Sequence, residues 1–206
     1  MGNVIAKKHR LESHFHSKGH LKHFNKQSPS DVISENECLD CNLNRLQVDI
    51  QNWTGLTKSS ILYDSRLDGL NGRVLNSKVS CHQNVLFVFS TRHGVFGCYH
   101  ESAISPSTSQ PKKSSSQNFF LFSMNKNCSY KLKKVGQSAS LSIYPKNSDN
   151  LIMTVFSAFW MNSEGIVQIH PSLRKEFELP NITNPLFGGA VSKKTKVDFM
   201  VALQLE

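Results

Sequence analysis

Residues Trp53 to Tyr99 read WTGLTKSSILYDSRLDGLNGRVLNSKVSCHQNVLFVFSTRHGVFGCY. Ser60-Ile61-Leu62-Tyr63 is a short apolar strand. Asp64 to Gly69 turns the chain, because Asp side chains bond local backbone and Gly69 tolerates positive φ. Leu70, Val74 and Val79 suit the buried side of a helix. Asn84 to Phe89 and Val95 to Tyr99 form two strands, joined tightly through Thr91 to Gly94. The order is strand, acidic turn, helix, hairpin.

Downstream of this unit the chain continues as sheet. Phe119 to Met124 is an apolar strand. Tyr130 to Val135 alternates apolar residues with Lys131, Lys133 and Lys134, as an edge strand with one wet face does. Ala139 to Tyr144 alternates again. Leu151 to Trp160 is one buried strand, or two joined by a bulge at Ser157-Ala158. Ile166 to Ile169 and Val197 to Leu205 complete about nine strand-like runs. Ser102 to Gln117, with Pro106 and Pro111, reads as a long mobile polar loop. Upstream, Leu39, Leu43, Leu46, Ile50 and Trp53 make the stripe of an amphipathic helix ending near Gly55. Nine strands and two helices predict an α+β fold, mainly β: a two-layer antiparallel β-sandwich with a few attached helices.

Three passages resemble the TLDc domain family. Ile61-Leu62-Tyr63-Asp64-Ser65-Arg66-Leu67-Asp68-Gly69 is similar to its opening, an apolar pair and Tyr before a turn ending Asp-Gly. Val85 to Tyr99 is similar to its hairpin, with Cys98 where the second Gly of a Gly-Gly pair stands. Phe119 to Met124 resembles its following Phe-Leu-Phe-Ser strand. The resemblance makes Tyr63, Asp64, Asp68, Gly69, Phe96, Gly97, Phe120 and Phe122 the fold-motif residues. It divides the chain into a leader 1–37, an approach helix 38–56 and a TLDc-like domain 57–206. It implies a non-enzymatic protein-interaction module, linked to oxidative-stress resistance and to binding a subunit of the vacuolar proton pump.

The 206 residues carry a net charge of +9. Lys7, Lys8, Arg10, Lys18, Lys22 and Lys26 against Glu12 place +5 of it in residues 1–30. A basic tail favours phosphate-rich partners. Met1-Gly2 followed by Lys7-Lys8 resembles an N-myristoylation signal at Gly2, although Ala6 replaces the preferred Ser or Thr. One acyl chain binds membranes marginally, and the six basic residues would supply the second signal on an anionic surface. The expected location is the cytoplasm, at the cytoplasmic face of a membrane.

Five Cys without a secretory signal suggest reduced thiols. Cys38-Leu39-Asp40-Cys41 is a lone CxxC, short of the four ligands a zinc site needs. No HExxH, GxSxG, P-loop or GxGxxG occurs. The sequence therefore calls for no catalytic residue, no metal and no cofactor. Two alternatives stay open: a nucleic-acid-binding or regulatory protein, from the charge, and a thiol-dependent antioxidant enzyme, using Cys98 or the CxxC.

Overall fold

A computed structural model describes residues 35–206, except 126–127, 146–149, 183 and 188–191, with side chains from residue 44 onward. Residues 1–34 of the leader, with Gly2, its basic residues and its His residues, lie outside the described residues, as do the side chains of Cys38 and Cys41.

Helix α1 (Glu35–Thr54) is followed by β1 (Ser59–Asp64), α2 (Ser65–Asp68), α3 (Gly72–Val79), β2 (Val85–Thr91) and β3 (Gly94–His100). Then come β4 (Lys113–Ser114), β5 (Phe119–Met124), β6 (Ser129–Lys133), β7 (Leu141–Ile143), β8 (Leu151–Val155), β9 (Phe159–Asn162) and β10 (Ile166–Ile169). The chain ends with α4 (Leu173–Glu176), β11 (Lys194–Lys196) and β12 (Phe199–Leu205). One sheet has the order β1-β12-β2-β3-β5-β6 and the other β11-β10-β9-β8-β7-β4, with every pair antiparallel. This is the expected two-layer, mainly β sandwich.

The layers meet through side chains that recur every second residue. Phe87, Phe89, Phe96 and Cys98 point inward from β2 and β3, and Phe159 meets them from β9. Phe89 and Phe96 stack at 5.1 Å between ring centroids, and Phe159 stands edge-on to both at 5.4 Å. Phe187 closes the group against Phe96 at 5.4 Å. Such pairs add to the gain from area burial alone.

A second apolar layer lies on the outer face of the first sheet. Leu46 and Ile50 of α1 bury against Leu86, Tyr99, Phe120 and Phe122, while Trp53 stands edge-on to Phe120 at 5.8 Å. Leu46, Ile50 and Trp53 of the stripe read in the sequence are thus the seam of this contact, while the side chains of Leu39 and Leu43 lie outside the described residues. The helix ends where Gly55, at φ 75°, donates its N–H to the Gln51 carbonyl at 2.8 Å.

Several expectations need correction. Residues 102–117 are pinned by hydrogen bonds. Asn76 Nδ2 donates to the Ser107 carbonyl at 2.8 Å, Lys112 N–H to Ser107 Oγ, and Ser105 N–H to Ser114 Oγ. Ile104, Ser107 and Ser114 are buried, and β4 pairs with β7. The serines therefore cap backbone where a solvated loop was expected. Of the two readings of Leu151 to Trp160, two strands form, and they make a hairpin, β8 to β9, through a turn at Ser157, φ 61°, where a bulge was expected. Helix α3 buries Val79 as expected and Leu75 besides, with Val74 partly buried, while Leu70 precedes the helix. Strand β7 is buried throughout, because Ser142 Oγ donates inside the fold to the Lys112 carbonyl at 2.8 Å.

Candidate functional site

The Asp-Gly passage builds a compact junction. Asp64 ends β1 and caps α2, accepting from the Arg66 N–H at 2.9 Å. Its carboxylate also takes Arg66 Nε at 3.0 Å and Nη2 at 2.7 Å, a two-point fork. That hydrogen bonding holds the Arg66 guanidinium above its ordinary pKa, despite partial burial. Asp68 accepts from the Asp64 N–H at 3.0 Å and from Lys78 Nζ at 2.7 Å. Tyr63 is fully buried and its hydroxyl donates to the Gly69 carbonyl. Burial raises the Tyr63 pKa, so the phenol stays protonated as that bond requires. Gly69, at φ 70°, lets the chain leave α2 with its carbonyl turned to Tyr63. Each expected residue of this passage has a partner within the junction.

Two partners there carry no expectation from the sequence. Arg66 lies over the Phe199 ring at 4.4 Å, and Ser65 Oγ accepts from the Met200 N–H at 2.8 Å. Together they fasten the junction to β12. The spacing of Arg66, two residues after Asp64, was the one local signal for the fork.

The Phe-Gly strand and the Phe-Leu-Phe strand are neighbours, with Gly97 opposite Phe122. Phe96 faces the sandwich interior, and Gly97 faces outward under the Phe122 ring. A Cβ at Gly97 would overlap the Phe87 carbonyl oxygen and lie 2.7 Å from Phe122 Cε1 and Cζ. Phe120, also outward, seats Trp53 and takes Lys131 Nζ over its ring at 4.6 Å. These four positions order two strands and the seat of α1.

Three thiols have described side chains. Cys98 is wholly buried, and burial pushes its pKa well up, away from the thiolate a nucleophile needs. Cys128 Sγ lies 3.0 Å from the Tyr130 hydroxyl, and Cys81 is exposed; both are free thiols. Among the described residues, no group of three or more His, Cys, Asp or Glu could hold a metal ion.

One buried titratable group stands apart. His100 shares Nδ1 with the Ser102 carbonyl at 2.7 Å, while its Nε2 is buried without a hydrogen-bond partner among the described residues. Desolvation lowers its pKa below 6.5, partly offset by the Ser102 contact. The folded state thus binds this proton less readily than the unfolded chain. Its stabilising effect is complete above pH 6.5 and is lost as pH falls through the folded pKa. The urea midpoint is expected to drop between pH 7 and pH 5, and His100→Phe to flatten that drop. An unchanged slope in the variant would assign the acid sensitivity elsewhere.

The outer face of the first sheet also carries an apolar groove that the sequence did not announce. It runs beside α1, with Leu46 and Ile50 on one side and Leu86, Val88, Val201 and Leu203 below. No helix among the described residues is long and apolar enough to cross a membrane.

A model of the TLDc domain matches residues 30–158. No curated protein matches the chain. The matched stretch runs from the approach to α1 through the junction, the hairpin and β5, and ends just before β9. The structure completes the sandwich beyond it, with β9 to β11 in one sheet and β12 in the other. With more than half of its length matched, and the Asp-Gly junction and Phe-Gly hairpin folded together inside that half, the chain belongs to the TLDc domain family.

Proposed function

We propose that the chain is a non-enzymatic protein-interaction module of TLDc type, acting in oxidative-stress resistance through a bound partner. The observation that supports this reading is that the motif residues are spent internally. Tyr63, Asp64 and Asp68 bond within the junction, and Gly97 lies beneath Phe122. Cys98, the thiol inside the family passage, is sealed and held protonated. Protection by thiol turnover would need an accessible thiolate. Binding needs only surface.

The partner suggested by the TLDc resemblance is a subunit of the vacuolar proton pump. The leader would hold the module at the cytoplasmic face of a membrane, through an acylated Gly2 and the six basic residues Lys7, Lys8, Arg10, Lys18, Lys22 and Lys26. Affinity capture from cells tests the partner. Pump subunits should be recovered with the full chain and lost on deleting 57–206; capture that survives the deletion overturns the reading. Gly2→Ala tests the tether independently, since unchanged membrane fractionation removes the acyl anchor and leaves the partner question intact.

A further inference from the structure

The outer face of the first sheet is wider than the helix lying on it. Six strands about 4.8 Å apart span roughly 24 Å between the outermost axes, whereas a helix with side chains covers about 10–12 Å. Helix α1 is fastened toward the β6 side. Ser129 Oγ donates to Asp49 at 2.6 Å, and Lys131 Nζ to the Trp53 carbonyl at 3.4 Å. The groove is what remains between α1 and the β1-β12-β2 half.

Two properties restrict what can lie there. The first is width. The groove is open, yet Val201 and Leu203 on its floor are each only 8% exposed and Leu86 only 3%. Val88, Ile61 and Phe199 beside them are partly exposed, but the space left above this floor is only about 90 Å³, far less than a helix needs. A polymethylene chain about 4 Å thick needs only a slot. The second is charge. The lining contains Lys58 and Arg66 and no Asp or Glu. Arg66 is engaged by Asp64, whereas Lys58 is exposed and makes no ion pair among the described residues.

We infer that the groove binds one medium-chain fatty acid. Its methylene chain lies between Ile50 and the Val88–Leu203 floor, and its carboxylate meets Lys58. The slot holds about 90 Å³. That is room for roughly six waters or as many methylenes, with the tail lying along the open side. Affinity should therefore climb severalfold per added methylene while the slot fills and then level off.

Calorimetric titration of the full chain with saturated fatty acids from butyrate to laurate, and with dodecanol, tests this. Saturable one-to-one laurate binding is expected, with the chain-length rise just described. Lys58→Glu should weaken laurate about fivefold and leave dodecanol unchanged, because only the acid meets the reversed charge. Val88→Asp should abolish both, with a thermal melt confirming the fold; should it fail to fold, Lys58→Glu on an exposed position carries the test. Absence of saturable laurate binding overturns the inference. So does equal weakening of acid and alcohol by Lys58→Glu, or an acidic amphipathic peptide that saturates the groove while laurate cannot displace it.

Discussion

Phe96→Ala is expected to lower unfolding stability by about 3–5 kcal/mol, the usual cost of emptying an aromatic site in a core that relaxes only in part. The ring is fully buried and touches three others, stacked on Phe89 and edge-on to Phe159 and Phe187. Phe89 comes from the same sheet and Phe159 from the opposite one, so the void would open where the layers meet. Urea denaturation measures the loss. A change near 1 kcal/mol would mean that Phe187 swings into the space. A typical domain has only about 5–15 kcal/mol to lose, so the variant would be marginally stable.

Gly97→Ala should cost about 3 kcal/mol, at the upper end of overpacking, for the addition of a single methyl group. The obstacle is twofold: the Phe122 ring can rotate away, but the Phe87 carbonyl is ladder backbone and cannot move without breaking the β2–β3 pairing. The double variant Gly97→Ala with Phe122→Ala separates the two. It should recover little, because the carbonyl remains. Full recovery by the double variant would make the ring the whole obstacle. Cys98, one residue on, tolerates its side chain because it points into the sandwich between Phe87 and Leu121.

Features set by local chemistry were legible in the sequence. The Asp-Gly turn, the hairpin and the Leu46-Ile50-Trp53 part of the α1 stripe each follow from spacing within a few residues, and each formed. The sandwich followed from counting alternating runs. Features set by distant partners were not legible. Ser107 looks like loop until Asn76, thirty-one residues earlier, is seen to bond both its N–H and its carbonyl. Strand β5 is buried on both faces because α1 covers the outer one, so its pattern shows no alternation. Ser65 bonds Met200 across 135 residues, a separation that leaves no sequence signal. The groove has none either, since it arises from a mismatch between sheet width and helix width.

Strand β12 is the last strand among the described residues and an inner strand of its sheet, lying between β1 and β2. Ile61 pairs with Leu203, 142 residues later (203 − 61). At about 5–20 residues per second of synthesis, β1 waits roughly 7–30 s for its only neighbour in the sheet. Until then β2 also presents an open flank of Val85, Phe87 and Phe89. The last seven-residue strand thus acts as a keystone. The sheet cannot close before β12 is made, and the nascent chain must remain unaggregated with both flanking strands bare over that interval.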